Sequence, residues 1–447
     1  MPSNGGQSFN AIFSIQSEVL TLCGFISPNS AATVELPARS TLGCLRSTVG
    51  AATAVLILIS TLYPTAMSIS KILLVLVTAN STTESKQFGL IEFMEQIPYI
   101  LINLRAFVVL LEFFLKRHRW TTLSMEASQV FCQLQPPLPY RYYACATARG
   151  ISWFAFALTA AAAVGWESMN QIDIFVSNPN RTLLSDDVWR PLPIKVHAWQ
   201  HIIHLALFRL LPFILSQQVY LCAMSLARVV YLRLDQLKRS IAREIAEHTL
   251  CADWHWHSHW SNTLAASNSR QIRLLATKQS LAQWEACHFQ LLRLTDSVNR
   301  HFQWTFLAGF GIDYLTILCM ASRMVTGTAH TVLNNVFAVG TMALFGVYIA
   351  GSAITFIRVH DTSSQLFKPV GELSTAVGHH NDKDEEQRRL WVGLGRFERI
   401  CLTNICYCHG FKLVVYTRNF LVQALISTVS FVILAKNVLH KNLSSNP

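Results

Sequence analysis

The sequence predicts an all-α protein: a seven-transmembrane helical bundle with an intracellular N-terminus and cytosolic helix extensions. Three observations predict this fold class, namely composition, seven long apolar runs, and a charge distribution that agrees with the glycosylation sites. Hydrophobic residues make up 51% of the 447 residues, charged residues make up 14%, and the mean hydropathy is +0.33. This composition favours a membrane protein over a soluble domain.

Seven apolar runs are long enough to cross a hydrocarbon core of about 30 Å, which takes about 20 helical residues. Backbone polar groups in lipid must bond within their own segment, so each run is predicted to be a helix. Residues 1–8 are polar and lack a basic stretch, so the first run is expected to act as the insertion signal. The runs lie near 48–78, 88–115, 147–166, 197–227, 303–325, 335–357 and 412–435.

The basic residues orient the bundle. Of the 36 Lys and Arg residues, 25 lie in segments predicted to be cytosolic, six in external loops and five in the runs. Cytosolic loops carry such an excess. Because these residues are scattered beside membrane helices and not gathered on one soluble face, nucleic acid is not an expected partner. The predicted cytosolic segments are 1–46, 116–149, 228–300 and 358–412.

Three glycosylation motifs agree with this orientation. Asn80, Asn180 and Asn442 each begin an Asn-X-Ser/Thr tripeptide just outside an apolar run. If all three lie on the external side, the chain crosses the membrane an odd number of times. The sequence therefore predicts a multi-pass plasma-membrane glycoprotein whose N-terminus is cytosolic.

Two regions are predicted. Residues 1–46 form a cytosolic segment with an amphipathic helix over 9–26, which Gly24 and Pro28 end. Residues 47–447 form the membrane domain, including cytosolic anchor helices near 228–300 and 385–411. Apolar residues at helical spacing give these helices stripes that should pack together, within one subunit or between subunits. The stripes contain Val230, Leu234, Leu237, Ile241 and Ile245; Leu274, Leu281, Trp284, Leu291, Leu294 and Val298; and Leu390, Leu394 and Phe397.

Aromatic and hydrogen-bonding residues occur together in the outer halves of the helices. Stacking rings with a few polar groups are typical of a small-molecule pocket. The alternative is the aromatic belt found in membrane proteins generally. The candidate ligand-binding residues are Glu95, Tyr99, Asn103, Trp166, Trp199, His201, His204 and Tyr314.

Ionisable residues inside the runs are costly and often functional. Lys71 and Arg323 lie near outer ends, where their side chains can reach the headgroups. Arg105, Arg209 and Asp313 lie deeper and indicate either a functional site or a buried ion pair between neighbouring helices. Arg418, in the last run, is the sixth such residue.

The sequence indicates neither an enzyme nor a metal protein. Cys251, His255, His257 and His259 could bind zinc, but their spacing matches no closed structural site. His248 and Asp253 have the spacing of a membrane acyltransferase pair, and chance is the better account of it. Motifs for nucleophilic hydrolysis or phosphate binding do not occur. No cofactor is expected.

The whole layout resembles the insect-type gustatory and odorant receptors. The resemblance rests on Gly24-Phe25-Ile26-Ser27-Pro28 after the amphipathic helix and on the long basic loop between the fourth and fifth runs. It also rests on the stretch 294–302, on Phe411 closing a cytosolic helix, and on Thr428 in the last run. The last run of that family has Thr-Tyr, five apolar residues and Gln-Phe, and of these only Thr428 is present here.

Members of that family are tetrameric ligand-gated cation channels whose last helix lines the pore. The resemblance therefore implies a taste receptor that binds a small-molecule tastant, contacts membrane lipid, and forms a homo- or heterotetramer. An apolar constriction in the last helix would gate the pore, and a ring formed by Lys436 would disfavour cations. The implied pore residues are Thr428, Val432, Leu434, Ala435 and Lys436.

Two alternatives remain open. A G-protein-coupled receptor would have the opposite orientation, and the chain lacks Asp-Arg-Tyr after the third run and Asn-Pro-X-X-Tyr in the seventh. A receptor-like membrane protein without channel activity is the other alternative, because the family motif in the last run is mostly lost.

Topology gives the first testable prediction. Single replacements Asn80→Gln, Asn180→Gln and Asn442→Gln should each remove one glycan, measured as a mobility shift on a denaturing gel. The reason is that only asparagines on the external side meet the glycosylation machinery. An N-terminal epitope tag that antibodies reach on intact cells would contradict the predicted orientation.

Overall fold

The computed structural model describes residues 20, 23–26, 41–78, 83–133, 211–257, 263–325, 332–378 and 385–444. These residues are almost entirely helical, as predicted. The helices are α1 (Thr41–Thr78), α2 (Thr83–Leu115), α3 (Trp120–Cys132), α4 (Leu211–His257), α5 (Thr263–His301), α6 (Gln303–Val325), α7 (Val332–Ser364), α8 (Phe367–Gly378), α9 (Glu385–Thr403) and α10 (Arg418–Ser444). A 3-10 turn spans Arg117–Arg119, and strands β1 (His409–Gly410) and β2 (Val414–Val415) form an antiparallel hairpin.

Two described segments have the length and composition of a membrane span. Within the described part of the chain, Leu211–Thr249 and Gln303–Ser322 are long and apolar enough, and Thr48–Tyr63 and Arg418–Leu434 are shorter apolar helices. The predicted run 303–325 has the bounds of α6. The third predicted run, 147–166, lies outside the described residues.

Helix α6 occupies the centre of the bundle. It packs against α2, α7 and α10, and also against the hairpin. Phe306 and Asp313 on α6 are fully buried, and Phe310 is nearly so. A change in the position of α6 would therefore alter its packing against α2, α7, α10 and the hairpin.

The fourth helix continues beyond the bundle, as predicted. At 1.5 Å per residue, the 47 residues of α4 span about 70 Å, more than twice the hydrocarbon thickness. Its apolar stripe packs against α5, which in turn packs against α9. The predicted stripe residues are buried, Ile245 partly so, and the three helices pack together within one chain. Leu237 and Leu394 are thus buried within the single chain.

The predicted bounds of the last two helices are wrong. The anchor helix was expected to reach residue 411 and the last span to begin at 412, but α9 ends at Thr403 and α10 begins at Arg418. The hairpin separates them. Phe411 does not close a helix, because Phe411 (φ 53°) and Lys412 (φ 61°) adopt left-handed backbone conformations in its turn. The N–H of Leu413 donates to the Gly410 carbonyl oxygen (2.9 Å) and closes this turn.

A break at Phe302 separates α5 from α6, and we call this break the joint. The salt bridge between Glu112 and Lys116 of α2 takes the place of backbone hydrogen bonds there. Glu112 of α2 accepts hydrogen bonds from the backbone N–H groups of Trp304 (2.9 Å) and Thr305 (2.6 Å). In an unbroken helix, these N–H groups would donate to the carbonyl oxygens of residues 300 and 301. Glu112 also accepts from the Thr305 hydroxyl group (2.8 Å).

Lys116 completes the joint from one turn further along α2. Its ammonium group bonds Glu112 (2.7 Å) and donates to the carbonyl oxygens of Arg300 (2.6 Å) and His301 (3.3 Å). A carboxylate thus lies at the N-terminus of α6 and an ammonium at the C-terminus of α5, and each complements the helix dipole that it meets. Side-chain insertion of this kind kinks a helix, which explains the break at Phe302.

His301 is buried beside this joint, with its ring 5.5 Å from Phe113 and 5.9 Å from Trp120. Burial and, to a smaller extent, the nearby charges of Lys116, Arg119 and His118 lower the pKa of His301 to about 3. An unfolded chain would bind this proton near pH 6.5. His301 therefore contributes stability that is present above pH 6.5 and is lost as the pH falls toward 3.

The joint gives the second prediction. Glu112→Ala should lower the free energy of unfolding by about 1–3 kcal/mol, because buried donors lose a charged acceptor. Chemical denaturation of the detergent-solubilised protein measures the change. The control is Asp296→Ala, which removes an exposed pair with Arg300 and should cost less than about 1 kcal/mol. Equal losses in the two variants would contradict the role given to Glu112.

Candidate functional site

The candidate site is a buried ion pair in the middle of the bundle. Arg105 Nε of α2 lies 2.7 Å from Asp313 Oδ1 of α6, and neither side chain is exposed to solvent. Arg105 also donates to the hydroxyl oxygen of Ser216 on α4 (3.2 Å). One guanidinium group therefore joins three helices. The structure forms the predicted pair between neighbouring helices, and its role in function stays a prediction.

Arg418 is the one other ionisable residue predicted within the runs whose side chain the structure describes, and it pairs with a different residue. It is the first residue of α10, its side chain is 74% exposed, and its Nε lies 2.6 Å from Asp361 Oδ2 at the end of α7. Residue Arg209 and the side chains of Lys71 and Arg323 lie outside the described part.

Tyr220 of α4 extends the site toward the last helix. Its ring lies 5.8 Å from the Arg105 guanidinium carbon, within the range of a cation–π contact. Its hydroxyl oxygen lies 3.2 Å from that of Tyr416, and Tyr416 donates to the carbonyl oxygen of Phe306 (2.9 Å). A Cβ at Gly309 would lie 2.1 Å from Tyr220 Cε2, so the tyrosine ring requires glycine there.

The aromatic cluster around Tyr416 holds the base of α10. Tyr416 lies two residues before α10, and its ring packs on rings from α6 and α7. The centroid distances from Tyr416 are 5.9 Å to Phe306, 6.2 Å to Phe310 and 4.8 Å to Phe356. Phe420, in the first turn of α10, lies 4.6 Å from Phe310. The last helix therefore begins in a rigid aromatic core.

Tyr314 links α6 to α10 directly. Its hydroxyl group donates to the Ala424 carbonyl oxygen (2.9 Å), and the Thr428 hydroxyl oxygen lies 3.1 Å from that of Tyr314. Consecutive helical residues point about 100° apart. Asp313 thus meets α2 while Tyr314 meets α10, so one turn of α6 contacts both helices.

Of the predicted ligand-binding residues, the structure describes the side chains of Asn103 and Tyr314. Asn103 is buried on α2, two residues before Arg105, and Tyr314 contacts the last helix. The side chains of Glu95 and Tyr99, and residues Trp166, Trp199, His201 and His204, lie outside the described part. The pocket stays a prediction. The sequence analysis did not select Ser216, Tyr220 or Tyr416. Arg105 is a charge in an apolar run that needs polar partners, and this need is the sequence feature that points to such residues.

The predicted pore residues lie on α10. Thr428 contacts Tyr314, Val432 is partly exposed and Leu434 is 62% exposed, while the side chains of Ala435 and Lys436 lie outside the described part. One face of α10 is apolar and exposed in the single chain, a surface suited to lipid or to a second subunit. It comprises Val422, Leu425, Ile426, Val429 and Ile433.

The remaining candidates are the His248–Asp253 pair, the possible zinc ligands and the glycosylation sites, and the structure describes some of them. His248 contacts the Thr277 hydroxyl oxygen (3.0 Å), and Thr277 donates to Glu244 (2.7 Å), so His248 takes part in packing α4 against α5. Among the described residues, no group of three side chains could hold a metal ion. The side chains of Asp253 and of the four candidate zinc ligands lie outside the described part. Asn442 is in the last turn of α10, and Asn80 and Asn180 are not described.

Comparison with solved structures identifies the fold. The chain is similar to the insect olfactory receptor OR5 from Machilis hrabei, with a TM-score of 0.60 and 12% identity over 95% of this chain and 97% of that chain. The same receptor in complex with eugenol has a TM-score of 0.58, with the same identity and coverage. No family model matches the sequence, and no curated protein sequence matches it.

The fold is therefore that of a helical membrane receptor. More particularly, the chain has the fold of an insect olfactory receptor, which confirms the predicted fold class and, at the level of fold, the resemblance to insect chemoreceptors.

The ion pair gives the third prediction. Arg105→Met or Asp313→Leu alone should cost about 3–5 kcal/mol of stability, because each leaves a buried charge unpaired. The double variant should recover most of that loss, since it leaves neither charge behind. Thermal unfolding in mild detergent measures all three. Losses that simply add in the double variant would show that the two groups do not interact.

Proposed function

We propose that this chain is a chemoreceptor subunit in which a small-molecule ligand opens a non-selective ion channel. It would lie in the plasma membrane with a cytosolic N-terminus and assemble as a homo- or heterotetramer. Its fold, that of an insect olfactory receptor, supports this proposal. That receptor has been solved in complex with eugenol, which supports a small organic ligand here. A tastant is the ligand class that the sequence resemblance favours.

One observation carries the mechanism: Asp313 and Tyr314 connect α6 to two different partners. Asp313 is held by Arg105 of α2, and Tyr314 is bonded to Ala424 and Thr428 of α10. A ligand bound among α2, α4 and α6 would bias the position of α6. The same movement would make or break the contacts of Tyr314 with the last helix.

The energies are adequate for gating. A ligand must favour the open state by about 5.5 kcal/mol to shift a closed–open ratio from 99:1 to 1:99. One hydrogen bond contributes about 0.5–1.5 kcal/mol, and a tetramer would contain four copies of the Tyr314 contact. Four such bonds formed or broken together would contribute about 2–6 kcal/mol, which reaches the required shift at the upper end of this range.

The exposed apolar face of α10 fits a pore or a subunit contact in the proposed tetramer. Val432, Leu434 and Ala435 would form the constriction, which conducts when it widens and becomes wet. Lys436 would place four ammonium groups in one ring and disfavour cations. These residue roles rest on the sequence resemblance.

A receptor-like protein without channel activity is the second candidate, because most of the family motif in the last helix is missing. Thr428 is the residue retained, and its contact with Tyr314 favours a last helix that still responds to α6. Recording from cells that express the chain, across a tastant panel, separates the two candidates. Ligand-evoked current supports the channel, and ligand binding without current supports the second candidate.

The mechanism gives the fourth prediction. Tyr314→Phe keeps the ring and removes the hydroxyl group that bonds Ala424 and Thr428. We expect the half-maximal ligand concentration to change about 2–10-fold, the equivalent of one hydrogen bond. The matched control is Tyr407→Phe, because the Tyr407 ring contacts the ring of His409 and the residue belongs to neither α6 nor α10.

Concentration–response recordings at equal surface expression measure the effect. The control should match the parent protein. A Tyr314→Phe curve that overlays the parent curve would remove Tyr314 from the gating mechanism.

A further inference from the structure

The hairpin between α9 and α10 lies beside the N-terminus of α6, where α2 ends and α10 begins. It packs against the first turn of α6, and a Cβ at Gly410 would lie 2.7 Å from the Leu307 nitrogen and 2.9 Å from the Gln303 carbonyl oxygen. Glu112, near the end of α2, bonds the same turn of α6 through the Trp304 N–H group. The tip of the hairpin is therefore level with the ends of α2, α6 and α10.

The tip exposes apolar and aromatic side chains around a lysine. Leu413 is 75% exposed, Trp304 47% and Phe411 36%, and Lys412 is exposed as well. The rings of Trp304 and Phe411 meet edge to face at a centroid distance of 4.5 Å. Aromatic rings and lysines with long apolar stems are typical of the boundary between membrane and water.

The backbone of the tip is strained. Phe411 and Lys412 both have positive φ, and the Lys412 N–H donates to His409 Nδ1 (3.2 Å) within the turn. The loop has three residues, 411–413, between the paired residues Gly410 and Val414. Asn and Gly adopt positive φ more readily than Phe or Lys, and strained conformations occur often at functional sites. The turn conformation itself therefore does not account for a phenylalanine and a lysine at these positions.

A basic stretch lies at the same level. Lys116-Arg117-His118-Arg119 follows α2 directly. Lys116 is engaged in the joint between α5 and α6, and the guanidinium group of Arg117 lies 4.8 Å from the Phe114 ring centroid. His118 and Arg119 are exposed. Electrostatic attraction to headgroups falls off within about 10 Å, so only cations at this level can contribute.

We propose that Phe411, Lys412 and Leu413, together with Trp304 and Arg119, form a site for anionic phospholipid. The rings and Leu413 enter the boundary of the acyl chains, and the Lys412 ammonium and Arg119 guanidinium groups attract anionic headgroups. This lipid site is independent of the proposed channel function, because it requires neither a tastant nor a current. Tyr416 and Thr417 join the hairpin to α10, so lipid bound here also constrains the last helix.

The test uses a substitution that separates hairpin stability from lipid binding. Phe411→Asn combined with Lys412→Gly places residues that adopt positive φ readily at the two positions that require it, and removes both side chains from the tip. The purified full chain in neutral detergent is titrated with short-chain phosphatidylserine and, separately, with short-chain phosphatidylcholine. The thermal unfolding midpoint is recorded for each lipid.

We expect phosphatidylserine to raise the midpoint of the parent protein more than phosphatidylcholine does, and less so at high salt. The double variant should be at least as stable as the parent without lipid and should lose more than half of the phosphatidylserine shift. Lys412→Arg should keep the shift. Arg389→Gln, which removes a cation from an exposed pair on α9, should also keep it.

Three results would overturn the proposal. The first is a full phosphatidylserine shift in the double variant. The second is an equal shift produced by inorganic phosphate alone, since that would assign the cations to a free anion. The third is a smaller oligomer for the double variant on size-exclusion chromatography with its lipid shift intact, because the tip would then contact a second subunit.

Discussion

The arrangement of the bundle depends on the ion pair between Arg105 and Asp313. Two ions removed from solvent lose hydration worth several kcal/mol each, and only close contact with each other and with further polar groups repays that loss. The pair meets this condition at 2.7 Å, with Ser216 as an additional partner of Arg105. It can form only when α2, α4 and α6 have one relative rotation. That rotation turns Tyr314 toward the last helix.

A second salt bridge, between Glu112 and Lys116, fixes the N-terminal end of α6. Glu112 and Lys116 replace two bonds of the backbone ladder between α5 and α6, so α6 begins at a defined residue and angle. On α2, Arg105 and Glu112 of the two salt bridges are about two helical turns apart. Between them, Gly309 lets Tyr220 lie against α6, and Tyr416 ties that contact to the base of α10. Helix α6 is thus held at its N-terminus by Glu112 and at its middle by the Arg105–Asp313 ion pair. A movement of α6 about these two contacts would move Tyr314 relative to α10.

The parts of this structure that the sequence could predict are those encoded by local pattern. Helical spacing placed the buried stripes of α4, α5 and α9 correctly, since a residue at position i+4 shares a face with residue i wherever the helix lies. Hydropathy predicted α6 to the residue. Arg105 and Asp313 could be selected as costly charges in apolar runs, although their pairing needed the packing of two helices that are distant in sequence.

The parts that could not be predicted depend on tertiary contact. Glu112 and Lys116 look like an ordinary i,i+4 pair in the sequence, and their insertion into another helix is visible only in the fold. The hairpin was missed because Phe411 and Lys412 carry no preference for positive φ. Tyr314 was selected as an aromatic residue for a ligand pocket, whereas its hydroxyl group bonds the last helix. Each of these cases involves one residue whose partner lies at least 100 positions away or whose backbone conformation departs from its usual preference.

The central claim is that α6 couples the ion pair to the last helix, and a double-mutant cycle on channel opening tests it most directly. Asp313→Asn and Tyr314→Phe are made singly and together, and the free energy of opening is taken from concentration–response recordings of each. Neighbouring residues in one network show interaction energies of about 0.5–3 kcal/mol. The account predicts a coupling of at least about 1 kcal/mol. Strictly additive effects of the two substitutions would contradict it.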